Sequence, residues 1–166
     1  MKSHETEKDL AEPDCIVGFS FGTSTGNNSV NAELGALMLN LANRLPLIAD
    51  RTLVNAIPNG KSKIAHIIDG DPTHCEGEGL NTWGTWIEAQ KYMNSNNLSH
   101  PLVIAQAYHA PRVVKQGEKL GISSLTPDKL PTDFDKSSKQ FWTRSAYLWL
   151  PVNALGSLML RARDQL

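Results

Sequence analysis

Cysteine is scarce: Cys15 and Cys75 are the only two in 166 residues. They form no CxxC and no Cys/His ligand spacing, so neither a disulfide framework nor a zinc site is indicated. Cys15 lies in an apolar run and reads as a buried free thiol. Charge of one sign is also lacking. The formal net charge of −1 gives no reason to invoke a nucleic-acid or membrane partner. The longest apolar stretch, Ala146 to Leu160, is interrupted by Pro151, Asn153 and Ser157 and is too short to span a bilayer. Residues Met1 to Glu12 are polar and lack the apolar core of a signal peptide, so 1–12 reads as a loose tail of a cytoplasmic protein. Three signatures are missing too: the GxGxxG dinucleotide fingerprint, the Gly-Lys-Ser/Thr of a P-loop and the G-x-S-x-G nucleophile elbow.

What is present is a soluble globular balance, 40% hydrophobic and 20% charged, long enough for one core. Residues 13–166 are expected to form one domain. Cys15 to Phe21 reads as a buried strand that runs into a turn-rich loop, Gly22 to Ser29. Leu34, Leu37, Met38, Leu41 and Leu45 recur at helical spacing, which predicts a helix over about Asn31 to Arg44. Leu47 to Ala49 and Ile64 to Ile68 are short strand candidates, the second ending at Asp69-Gly70-Asp71. Trp83, Ile87, Gln90 and Met93 mark one face of a helix that Asn81 or Thr82 would cap. Pro101 to Ala107 is the next strand, followed by a helix carrying Val113, Val114, Gly117 and Leu120 and ended by Gly121. Ile122 to Leu125 is a last short strand candidate. Gln140 to Arg163 reads as a helix broken or kinked near Pro151, with Trp142, Tyr147 and Trp149 packing it. This alternation predicts an α/β fold with a mostly parallel sheet and helices on both faces.

Chemistry concentrates in Tyr108-His109-Ala110-Pro111-Arg112, where a strand feeds a helix. In open α/β sheets that junction is where ligands bind. Pro111 suits the first helical position, and Ala110 offers no capping oxygen, so the first-turn amides are expected to be free for an anion. Arg112 adds a planar cationic fork, and His109 can donate a hydrogen bond or act as acid/base. Gln106 and Tyr108 at the strand end are taken as ligand contacts. Gly22, Thr23 and Ser24 open a loop able to wrap amides and hydroxyls around a phosphate or sugar. Glu76, Asn81 and Thr82 form a third group of ligand contacts, in which Glu76, like Glu78, can reach a ligand or be solvated, and helix capping is the plain reading of Asn81 and Thr82. Asp69 and Asp71 read as an aspartate-rich turn rather than a metal site, and no metal is assigned.

Three of these segments together resemble the YdcF-like family, which includes the SanA- and ElyC-type envelope-associated domains of bacteria. Asp14 to Gly22 resembles its Asp-led strand and Gly-rich loop. Glu76-Gly-Glu-Gly-Leu-Asn-Thr82 resembles its Glu-x-x-Ser-x-Asn-Thr segment, with Gly79 in the serine position. Tyr108 to Arg112 resembles its Tyr-His-x-x-Arg motif most closely. The resemblance spans about residues 13 to 125. It implies a Rossmann-like three-layer α/β sandwich and a pocket of Gly22 to Ser24, Glu76, Asn81, Thr82, His109 and Arg112. It further implies a nucleotide-like ligand such as S-adenosylmethionine and a link to envelope processes.

Three function classes follow. The first is a binding domain for a small anionic or nucleotide-like metabolite, centred on Arg112. The second is an enzyme acting on a phosphate- or glycosyl-bearing substrate, with His109 as acid/base, Arg112 stabilising charge and Glu76 as second acid/base or orienting group. A partner-binding module is the third, for which the Trp142/Trp149 helix is the candidate surface. The cofactor and the oligomeric state are not assigned.

Overall fold

In the computed structural model, residues 12–22, 29–69 and 82–162 are described. Residues 1–11 of the expected tail therefore lie outside the described residues. So do Thr23, Ser24, Asp71, Cys75, Glu76 and Asn81.

Four short strands form one parallel sheet: β1 (Cys15–Gly18), β2 (Leu47–Asp50), β3 (His66–Ile68) and β4 (Pro101–Ile104). Their order is β3-β2-β1-β4, so the chain steps outward one way from β1 and then crosses to its other side. This is the α/β fold expected, with Rossmann-like order. The register pairs Gly18 with Ala49 on one side and with Ile104 on the other. β1 is thus central and entirely buried, which is why it reads as an unbroken apolar run rather than an alternating one.

Successive strand residues point to opposite faces. Cys15 and Val17 enter one core cluster, with Trp86, Ala89 and Val113. Ile16 enters another, with Leu34, Met38, Leu53 and Ile57. The first cluster draws on helices α4 (Thr82–Ser95) and α5 (Ala110–Lys119), the second on α1 (Ser29–Leu41) and α2 (Arg51–Ala56). Trp86 is anchored further by its indole N–H, which donates to the Val113 carbonyl at 2.7 Å. Burial pushes the Cys15 thiol up to about 12, so it is protonated and inert at neutral pH, as a buried free thiol should be.

Several expectations shift in detail. The inward face of α4 is set by Trp86, Ala89 and Met93, whereas Trp83 and Ile87 are half-buried. Two helices were not legible, α2 and α3 (Gly60–Lys63), because neither is long enough to show a 3.6-residue period. The Ile122 to Leu125 strand reduces to one parallel bridge, Leu125 against Leu102 at the β4 edge. The terminal helix begins later than expected. Phe141–Thr143 is a turn of 3-10 helix, and α6 runs from Ala146 to Ala162 without a break at Pro151. Tyr147 does not pack it, since that ring is 91% exposed.

Candidate functional site

The strand order reverses between β1 and β4, which makes the crevice beyond their carboxyl ends the topological switch point. Phe21 and Gly22 follow β1 into that crevice, and His109 and Arg112 follow β4. Two residues that the sequence reading missed hold the β1 side. The Asn31 side-chain oxygen accepts from Phe21 N at 2.8 Å, and an Asp50 carboxylate oxygen accepts from Ser20 N at 2.7 Å. Asp50 also caps α2 by accepting from Leu53 N at 3.0 Å. Burial raises its pKa, against the opposing pull of those backbone donors. The signal available for it was an aspartate directly after a buried apolar strand.

His109 is 5% exposed and sits one residue before α5. Its Nε2 lies 3.2 Å from an Arg112 terminal nitrogen and 3.1 Å from the Thr82 hydroxyl. A guanidinium carries only donors, so Nε2 is the acceptor, and the proton of the neutral ring belongs on Nδ1. The ring is neutral because burial, and secondarily the Arg112 charge, holds its pKa well below the ordinary value. Nδ1 is buried and has no hydrogen-bond partner among the described residues. The same holds for Nε of Arg112. Burial pulls the Arg112 guanidinium down to about 10, which leaves it cationic at neutral pH.

A lid of aromatic side chains covers this pair. Trp149 of α6 stands edge-on to His109 and to Phe21, with centroids 5.6 and 4.8 Å away. The Arg112 guanidinium carbon lies 5.3 Å from the Trp149 ring centre, within cation–π range. Phe134 adds an edge contact to Phe21. The segment between α5 and α6 thus folds back over the crevice. It is tied there by Ala107 N, which donates to the Pro131 carbonyl at 2.8 Å.

The expected site residues divide accordingly. His109, Arg112 and Thr82 are brought together. Tyr108 is beside them and 43% exposed, with its ring against Phe134. Gln106 is spent inside the protein: its amide nitrogen donates to the Thr132 and Asp133 carbonyls, and its oxygen accepts from Tyr108 N. Gly22 packs against the C-terminal segment, where an added Cβ would lie 2.6 Å from the Thr143 hydroxyl. Thr23, Ser24, Glu76 and Asn81 lie outside the described residues. Among the described residues no group of His, Cys, Asp or Glu is gathered to hold a metal ion, and Asp69 is engaged bidentately by Arg51.

One expectation is corrected. The first-turn amides of α5 are not free: Ala110 N donates to the Gln106 carbonyl, and Arg112 N and Val113 N donate to the His109 carbonyl. A tight turn before Ala110 supplies these acceptors in place of a capping side chain. The unpaired buried donors at this junction are therefore side-chain atoms, His109 Nδ1 and Arg112 Nε, and not backbone amides.

No protein-family model matches this chain, and neither a curated protein nor a solved structure is significantly similar to it. The crevice is accordingly judged on its own chemistry. It offers two buried N–H donors, one cationic, a threonine hydroxyl and an aromatic cover. An open concavity of about 530 Å³ beside α2 and α3, lined by Asn55, Asn59 and Lys61 among others, shares no residue with it.

Proposed function

We propose that the crevice between the ends of β1 and β4 binds a small anionic or nucleotide-like metabolite through His109 and Arg112. The observation that carries this reading is the pair of buried donors, Nδ1–H of His109 and Nε–H of Arg112, without an acceptor among the described residues. A buried donor left unsatisfied costs about 1–3 kcal/mol, more for a charged group. An oxyanion would relieve both and neutralise the guanidinium. The exposed Tyr108 ring suits a planar group next to that anion. The likeness of Tyr108 to Arg112 to the YdcF-like motif points the same way.

Binding is preferred over acid/base catalysis on the same geometry. Nε2 of His109 already faces the Arg112 donor, and Nδ1 carries the proton, an arrangement that holds an acceptor rather than takes up a proton.

A thermal-shift panel of nucleotides, S-adenosylmethionine, sugar phosphates and inorganic phosphate tests this. A ligand at about 100 times its Kd adds about 2.7 kcal/mol, or roughly 5–11 °C for a chain of this size. Calorimetry on Arg112→Ala should then show affinity weaker by about 1.5–3 kcal/mol. Unchanged affinity would remove Arg112 from the site, and no response to any anion would overturn the reading.

A further inference from the structure

Helix α6 is built inside out for a helix facing water. A surface helix turns its apolar stripe inward and its polar residues outward. Here the inner face carries Trp149, buried, with Asn153, Gly156 and Ser157 half-buried beside it. The outer face exposes Tyr147, Leu150, Leu155, Leu158 and Met159, all at least half exposed. Most of the large apolar side chains exposed among the described residues lie on this one helix. An apolar patch of that kind marks an interaction surface.

Charge identifies the partner. From Lys136 to Arg163 the chain has no aspartate or glutamate, but has Lys136, Lys139, Arg144, Arg161 and Arg163. The first four are exposed, and Arg144 and Arg161 stand at the two ends of the apolar helix. The chain as a whole carries −1, so this segment is a local cationic excess that the total conceals. A second copy packed helix against helix would bring the like charges at the ends of α6, Arg144 and Arg161, together. An anionic bilayer surface pairs with those cations and accepts the leucines in its acyl boundary. No helix among the described residues is long and apolar enough to cross a membrane, and α6 need not cross one.

We propose that α6 is a membrane-surface docking helix that lays its outer apolar face into an anionic phospholipid leaflet while Trp149 keeps it packed on the domain. Trp149 also covers His109 and Arg112, so the docked face adjoins the crevice.

Co-sedimentation of the full chain with phosphatidylcholine vesicles, with and without phosphatidylserine, tests this. The expected result is binding to the anionic vesicles only, weakened by added salt. Lys139→Glu or Arg161→Glu should weaken it about fivefold or more. Leu155→Glu combined with Leu158→Glu should weaken it at least tenfold, with an unchanged circular-dichroism melt because both side chains are exposed. Equal binding to neutral vesicles would overturn the assigned partner. So would a concentration-dependent dimer that the same leucine variant abolishes, with no vesicle binding. Neither outcome bears on anion binding at Arg112, which is read separately by calorimetry.

Discussion

A terminal nitrogen of Arg112 lies 3.2 Å from Nε2 of His109, three residues back along the chain. Because the guanidinium can only donate, this contact fixes both the charge and the tautomer of the imidazole. The ring is neutral, with its proton on Nδ1 facing away from Arg112. Among the described residues, His109 thereby becomes a second donor beside the Arg112 guanidinium.

The first expected consequence is a pH dependence of stability. The folded pKa of His109 is held well below the ordinary 6.5, first by burial and then by Arg112. The unfolded chain takes up a proton near 6.5 that the folded chain refuses. The unfolded state therefore binds more protons below that value, and stability, full above it, falls as pH drops toward the folded pKa. Denaturant melts of the wild type and His109→Gln, taken between about pH 8 and pH 5, should diverge on the acid side. Parallel curves would contradict a neutral buried ring.

Trp149→Ala should destabilise by about 3–5 kcal/mol, the cost of removing a large aromatic from a packed site. It removes at once the edge contacts with Phe21 and His109 and the ring beneath the Arg112 cation. A urea melt measures this. A loss below about 1 kcal/mol, ordinary for an exposed side chain, would mean that α6 is not seated on the crevice.

Gly22 and Gly121 both adopt positive φ, at 74° and 78°, but they differ in surroundings. A Cβ at Gly22 meets the Thr143 and Ser138 hydroxyls at 2.6 and 2.7 Å, whereas at Gly121 it meets nothing within 4 Å. Gly121→Ala should cost about 1 kcal/mol from backbone strain alone. Gly22→Ala should cost about 1–3 kcal/mol more, because the C-terminal segment must shift. Equal losses in the two variants would show that Ser138 and Thr143 do not pack on the loop.

Asp50→Ala strips the acceptor from two backbone donors, Ser20 N and Leu53 N. Loss of the α2 cap and of the tie to the β1 end should together cost about 2–4 kcal/mol in a thermal or urea melt. A change within about 0.5 kcal/mol, usual at unimportant surface positions, would dismiss Asp50 as an anchor of the crevice.

The strands were legible because each is a short apolar run bounded by turn formers, and helices α1, α4 and α5 because they are long enough to show a period. The junction at Tyr108 to Arg112 was legible because chain order alone puts it at a strand end. Its lid was not. Trp149 reaches His109 from forty positions further along the chain, through a segment from Pro131 to Ser145 that has no periodicity to read. The role of Gln106 was hidden for the same reason, since its partners are the carbonyls of Thr132 and Asp133. The face of α4 was misjudged because Trp83 and Trp86 both offer a large ring, and only packing against Val113 and Phe19 selects Trp86. The net charge of −1 hid the cationic apolar segment because summing over the chain erases its position.

We propose His109 Nδ1–H and Arg112 Nε–H as the pair that together holds an anion. The most direct measurement is a nitrogen-15 NMR titration that follows these two signals as inorganic phosphate, nucleotides and S-adenosylmethionine are added. The expected result is that one class of anion moves both signals along a single binding curve, and that in Arg112→Ala the His109 signal no longer responds. If both signals stay fixed through the whole panel, or if His109 carries its proton on Nε2, the assignment of this crevice as an anion site is wrong.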